Sequence, residues 1–297
     1  MKTDKRLTEA YETAKIIEFD EDSKFIFFSD IHRGDNSVSD DFAHNQIIYY
    51  HALSYYLDNG YTYIEVGDGD ELWEHSSFKH VMSAHSDVFL LLKKFHKANR
   101  FHMIYGNHNM EFKNKHNVEK LLYNFDDEYL DVQDKLFDAI EVPEAIVLKH
   151  KKTNQEIFVV HGHQGDLMND QLWQISKFWM RYFWRFMHIV GFRNPSSPAK
   201  NRTKRHKIEK NYVKWIEKHK VMLICGHTHR PKYPTNGDMP YFNDGCCVHP
   251  RGINGIEISC GEISLIHWKV VPSEKGELFI NKSIIKGPDP IEKFRID

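Results

Sequence analysis

The sequence predicts an α/β fold with a largely parallel sheet, and three observations carry that expectation. Short apolar runs recur at 25–28, 63–66 and 101–105. Segments of helical periodicity, 42–58 and 81–98, lie between them. The resulting order β-α-β-α-β needs crossovers, and crossovers of this kind join parallel strands. At 297 residues and 41% hydrophobic composition, the chain can bury a substantial core, and we take 1–297 as a single domain.

In order, residues 7–18 read as a polar, weakly amphipathic helix leading into the first strand. Residues 25–28 are Phe-Ile-Phe-Phe, a run suited to a strand buried on both faces, and Gly34 breaks the pattern after it. In 42–58, Ile47, Ile48, Leu53, Tyr56 and Leu57 share a broad helical face, and Asn59-Gly60 is a stop signal. Residues 81–98 present Val88, Phe89, Leu91, Leu92 and Phe95 in the same way. Residues 116–142 are charged and carry no clear period. Segments 145–149 and 156–160 read as two strands joined by a polar hairpin at 151–154, and 221–225 as another strand. From 241 onward the pattern is short strands with Gly and Pro turns.

The ends of these strands hold the chemistry. After 25–28 come Asp30 and His32; if the strand stays extended, their side chains point the same way. After 63–66 comes Gly67-Asp68, after 101–105 Gly106-Asn107-His108, after 156–160 His161-Gly162-His163, and after 221–225 Gly226-His227-Thr228-His229. Any one of these fits an ordinary surface turn. Five strands each delivering a metal-capable residue at the carboxyl end do not, because that end is where open α/β sheets bind ligands. Carboxylate, amide and imidazole together suit Mn, Fe or Zn rather than Ca, and the lack of cysteine among them argues against a structural zinc.

This ordered set resembles the calcineurin-like metallophosphoesterases, from about Phe25 to the Asn243-Asp244-Gly245 turn. The resemblance implies a four-layer α/β/β/α metallophosphoesterase sandwich. It implies two divalent transition-metal ions, Mn first, with Fe or Zn as alternatives. Asp30, His32, Asp68 and His229 would hold one; Asp68, Asn107, His161 and His227 the other, with Asp68 bridging. Such ions lie about 3.5–4 Å apart, and attack by a metal-bridging hydroxide would hydrolyse a phosphomonoester or phosphodiester. His108 would be the general acid. His163 is the rival to His161 as ligand; otherwise it and Asp166 would support the site or the cap. The family commonly has aspartate after this histidine, whereas this chain has Asn109, so Glu111 or another carboxylate would have to assist. Arg33 and Arg251 are candidates for gripping substrate phosphate. Residues 67–73, Gly-Asp-Gly-Asp-Glu-Leu-Trp, look most like the branch containing UDP-2,3-diacylglucosamine hydrolase, although that enzyme has arginine at the position of His108.

The interval between His161 and His227 is too long for a plain connection. Within 168–190 fall Trp173, Phe178, Trp179, Tyr182, Phe183, Trp184 and Phe186, and Lys177, Arg181 and Arg185 recur every four residues as a basic stripe. A loop at Asn194-Pro195-Ser196-Ser197-Pro198 precedes a basic stretch, 200–220, read as a second helix. We take 165–220 as a helical cap beside the active-site mouth; the diacylglucosamine hydrolase has a helical insertion at a similar place over its lipid substrate. The aromatic run serves equally as core or as a contact between copies. The expected partner is a small phosphoester, lipid-like if the cap contacts it, with peripheral membrane contact through the cap as an extension. A nucleotide or phosphoprotein phosphatase is the alternative, and a non-catalytic scaffold is a third reading.

Composition excludes other classes. A net charge of −2 names no partner, and with no recognised module, nucleic-acid binding is not expected. The four cysteines, Cys225, Cys246, Cys247 and Cys260, form no CxxC pair and suit a reducing compartment. The N-terminal stretch carries no apolar signal region, and no run of 18 apolar residues exists, so a cytoplasmic protein is expected.

Overall fold

A computed structural model of the chain describes residues 2–127, 132–184, 186–187 and 201–296. The chain opens with α1 (Lys2–Glu12), β1 (Lys15–Phe19) and β2 (Phe25–Phe28). Then come α2 (Gln46–Asp58), β3 (Thr62–Val66), α3 (Phe78–Ala84), α4 (Ser86–Lys97) and β4 (Phe101–Ile104). Next are α5 (Lys115–Leu122), an antiparallel pair β5 (Asn124–Asp127) and β6 (Val132–Lys135), then β7 (Ala145–His150) and β8 (Glu156–Val160). After α6 (Trp173–Trp179) and α7 (Arg202–His219) the chain ends in β9 (Met222–Cys225), β10 (Tyr241–Asn243), β11 (Ile253–Ser259), β12 (Glu262–Pro272) and β13 (Leu278–Pro290).

Two sheets pack face to face, with strand orders β1-β7-β8-β9-β10 and β13-β12-β11-β2-β3-β4. The alternation of side chains along each central strand explains why its apolar run is unbroken. Phe25 and Phe27 of β2 enter the core between the sheets, with Ile64, Ile146, Val159 and Ile224, while Ile26 and Phe28 enter the core under α2 and α4. In β8, Ile157 and Val159 face the central core, and Phe158 and Val160 face α1 and α7 through Leu7, Tyr212 and Trp215. The result is the α/β/β/α sandwich.

Several expectations change. Residues 15–18 are not helical but belong to β1, because this segment pairs in parallel with β7 along its whole length. The helix expected over 81–98 is two helices, broken at His85. The His85 side chain is fully buried, 2.8 Å from Asp40 Oδ2 and 3.0 Å from Gln46 Oε1, so the chain bends to deliver it. The C-terminal strands are long rather than short, with 11 residues in β12 and 13 in β13, paired antiparallel. The expected cap of 165–220 divides. Its second helix, α7, buries Tyr212, Trp215 and Ile216 on the outer face of the first sheet and is a layer of the sandwich, with Lys207, Lys210, Lys214 and Lys218 outward. Its first part, from Leu167 through α6 to Trp184, buries no large apolar side chain. Arg185 and the loop at 194–198 lie outside the described residues. Among the described residues no helix is long and apolar enough to cross a membrane.

Candidate metal centre

The carboxyl ends of strands from both sheets meet at one point. Beyond β2 and β3 the chain stays zipped: Asp30 N–H donates to Gly67 O at 3.2 Å and His32 N–H to Asp68 O at 2.9 Å. Contrary to expectation, Asp30 and His32 do not come together through strand pleating. Both have left-handed backbone, φ 50° and 51°, and so do Asp68, His227 and His229. That conformation costs a non-glycine residue about 1 kcal/mol or more and collects at functional sites. Gly67, at φ 80°, lies so close to His161 that a Cβ would sit 2.6 Å from its Nδ1. A Cβ on Gly226 would sit 2.6 Å from Asp30 Oδ2, so neither glycine tolerates a side chain.

Three clusters of potential ligands result, two of predicted ligands and a third of His32, Glu71 and His108. Asp30, His32 and His229 form one: His229 Nε2 is 3.0 Å and His32 Nε2 3.7 Å from Asp30 Oδ1. Asp68, His161 and His227 form the other, with His161 Nε2 3.1 Å from Asp68 Oδ2. His32 Nε2 lies 3.9 Å from that same Asp68 oxygen, so Asp68 sits between the groups. Orientation comes from outside the set. His161 Nδ1–H donates to Val66 O at 2.9 Å, which leaves Nε2 to face Asp68. His227 N–H donates to Asp30 Oδ2 at 2.7 Å, and Asn243 Nδ2–H donates to Gly226 O at 2.6 Å, fixing the last ligand loop.

The site fits metal ions. Asp30 Oδ1, His32 Nε2, Asn107 Oδ1, His161 Nε2 and His227 Nε2 are all buried and make no hydrogen bond. A fold does not ordinarily leave five buried polar atoms at its strand ends unsatisfied. These are imidazole, carboxylate and amide donors, which suit first-row transition metals. The charges agree with a cation site. Burial alone would depress His229 and His161, but Asp30 lifts His229 to about 10 and Asp68 lifts His161 to about 8. Burial, with His161 adding to it, pushes His227 down to about 3. Asp30 and Asp68 are held below the usual carboxylate range by these histidines, against the pull of burial.

His108 stands beside both groups. Its N–H donates to Asp68 Oδ1 at 2.8 Å, and its ring lies edge-on to His32 with centroids 4.6 Å apart. Its carboxylate partner is Glu71, with Nδ1 2.8 Å from Oε1 and 2.7 Å from Oε2. Glu111 does not take that place; it pairs with Lys177. Asn109 is buried and committed elsewhere, its Oδ1 accepting from Gly106 N–H at 2.6 Å. His163 is buried 5.6 Å from the His161 ring and lies outside both ligand groups. Asp166 caps the turn at Leu167–Gln171, pairs with Lys204 at 2.7 Å and approaches His227 Nε2 at 4.0 Å.

Among the described residues, neither predicted phosphate-gripping guanidinium makes a hydrogen bond or ion pair with the ligands. Arg33 is corrected to a structural role. It is 1% exposed, its Nη1 and Nη2 donate to Glu65 at 2.7 and 2.8 Å, and its Nε donates to Asp70 at 2.8 Å, so no donor face remains for substrate. Arg251 lies exposed in the turn before β11, and among the described residues no hydrogen bond or ion pair joins it to the ligands. The helical segment instead brings a cation to the loop that packs on His108. Arg181 Nη2 donates to Leu72 O at 2.8 Å and Nε to Trp73 O at 3.2 Å. Sequence reasoning also missed Asp244, which accepts from Ser29 Oγ at 2.6 Å beside Asp30 and is raised well above the carboxylate range by burial and by that neighbour. Its position on the final turn of the pattern was the available signal.

The model of the calcineurin-like phosphoesterases matches residues 23–231, a span that contains every ligand described above. The chain belongs to the calcineurin-like phosphoesterase family. No curated protein matches it. Among solved structures, Vps29 of Chaetomium thermophilum shares 10% identity, with 91% of this chain and 100% of that chain covered and a TM-score of 0.40. A point mutant of a cold-active protein tyrosine phosphatase shares 9% identity, covering 90% of this chain and 83% of its own, with a TM-score of 0.40.

Proposed function

We propose that this calcineurin-like phosphoesterase is a two-metal hydrolase of phosphomono- or diesters. The observation that carries the reading is Asp68, whose Oδ2 is shared between His161 and His32 at 3.1 and 3.9 Å, one histidine from each ligand group. Asp30, His32, Asp68 and His229 would hold one ion; Asp68, Asn107, His161 and His227 the other. Bound there, the ions supply Lewis acidity and a nucleophilic water near neutral pH, with Mn favoured and Fe or Zn as alternatives. The chain's own part is to fix the ligands from both sheets, keep the ligand atoms buried, and hold His108 where it can protonate the departing oxygen.

The substrate we favour carries an apolar group. In support, Phe178, Trp179, Tyr182 and Phe183 are all 44–68% exposed on the helical segment, while Lys177 and Arg181 of the same segment turn inward to Glu111 and to the Leu72 and Trp73 carbonyls. An aromatic ridge anchored beside His108 suits a lipid-like phosphoester or a bilayer surface. The likeness of residues 67–73 to the diacylglucosamine hydrolase branch points the same way. The test is metal content together with hydrolysis of nitrophenyl mono- and diesters, then a panel of lipid-like, nucleotide and phosphopeptide esters. About two metals per chain with metal-dependent turnover is the expected result. No metal and no turnover with Mn supplied would overturn the reading in favour of a scaffold.

A further inference from the structure

The last strand, β13, is an unguarded sheet edge. It closes one side of the six-stranded sheet, and among the described residues no strand pairs with its outer side. The other edge strands are short, with 5 residues in β1, 4 in β4 and 3 in β10, whereas β13 has 13. A long free edge offers a row of backbone donors and acceptors, which proteins ordinarily blunt with charge, proline or a bulge. Here those devices sit at one end. The register with β12 breaks between Ile263 and Ile266, and Lys286, Pro288 and Pro290 lie beyond Ile284. From Leu278 to Ile284 the pairing is regular. The one charge in that stretch, Lys282, folds back on its own chain: Nζ donates to Glu257 Oε2 at 2.9 Å and lies 4.8 Å from the centre of the Tyr55 ring. What remains is apolar and uncovered. Val270, Leu278, Phe279, Ile284 and Ile285 are 45–74% exposed. Leu278 and Ile284 share the face of Ile280 and Lys282, toward α2, and Phe279 lies on the opposite face.

We propose that β13 pairs with β13 of a second copy of this chain, antiparallel about a two-fold axis at Asn281. The two six-stranded sheets thereby become one continuous sheet. The strand's own sequence argues for a second copy as the occupant. An axis at Asn281 lays Leu278 across from Ile284, Ile280 across from the Lys282 stem and Phe279 across from Ser283. The symmetry forms the Leu–Ile pair twice, on the exposed face next to Tyr55. The charges agree. Lys286 of one copy comes beside the turn 273–277 of the other, where Glu274 and Glu277 outnumber Lys275. An axis at Lys282 would instead set two lysines against each other. No ligand of the metal centre lies on β12 or β13, so the inference is independent of the phosphoesterase reading.

The test is the mass of the full chain in solution, by sedimentation equilibrium at micromolar concentrations, where a dimer is expected. Leu278→Glu and Ile284→Lys should each weaken it about a hundredfold, since the symmetry places each substitution in the interface twice. Both positions are exposed, so an unchanged circular dichroism spectrum is expected of each. Combined in one chain, the two substitutions should restore the dimer, because each new glutamate then faces a new lysine of the other copy. Within one chain the two positions are too far apart along the strand to pair. As an independent measure, Asn281→Cys in a Cys260→Ser background should form a disulfide between copies on treatment with diamide. Lys269→Cys in the same background, on the neighbouring strand opposite Asn281, should not. A monomer at tens of micromolar would overturn the proposal and leave the edge to a strand of a different protein. A dimer that both single variants leave intact and that Asn281→Cys does not cross-link would overturn it too, by placing the interface on another face.

Discussion

Arg33 illustrates how much a residue's neighbours decide. In sequence it follows a ligand pair and has the chemistry to hold phosphate; in the fold, Glu65 and Asp70 consume its guanidinium, and the Phe89 ring lies 5.1 Å away. Removing it would leave two buried carboxylates without their cation. Arg33→Ala is therefore expected to cost about 3–5 kcal/mol of stability, read as a lowered urea midpoint. Asp68 sits at the opposite pole. It is almost fully buried yet shared between the ligand groups, so Asp68→Asn should abolish turnover and lower bound metal, while its urea midpoint measured in chelator stays close to that of the wild type in chelator; unimpaired turnover would sink the two-metal mechanism. The ligands themselves were legible as residues because each follows an apolar run and most adjoin a glycine. Glu71 was not, because its link to His108 spans 37 positions and no local pattern announces it.

Among the elements, central strands were legible and helix boundaries were not. A strand buried on both faces writes itself as an unbroken apolar run, as β2 and β8 do. The break between α3 and α4 depends on where Asp40 waits for His85, and β1 depends on β7 as its partner. The segment around α6 has the clearest sequence signature and the least predictable direction. Phe178, Trp179, Tyr182 and Phe183 point outward, whereas Lys177 and Arg181 turn inward. Phe178→Ser with Tyr182→Ser should change stability by less than about 1 kcal/mol, since both side chains are more than half exposed. The same pair should reduce cosedimentation with anionic vesicles and turnover of lipid-like esters while sparing nitrophenyl esters; unchanged values for both would remove the apolar-substrate reading.

At the scale of the whole molecule, the site exists because two sheets deliver strand ends to one place. Loops after β2, β3 and β4 come from one sheet, and loops after β8 and β9 from the other. Metal bound between them joins the halves, so it should stabilise the fold by mass action. Mn at a hundredfold excess over its dissociation constant is expected to contribute about 2.7 kcal/mol, seen as a rise of several degrees in Tm that chelator reverses. A Tm indifferent to Mn and chelator would argue that the ligand cluster binds no ion. The sequence by itself determined the alternation of strand and helix, the ligand types and the position of each at a strand's carboxyl end, because all of these are local relations between neighbouring residues. Only the tertiary structure decided which carboxylate meets His108, that Arg33 is consumed by its neighbours, and which way the aromatic helix faces. Those depend on distances between loops that chain order leaves open and only the packing of the two sheets sets.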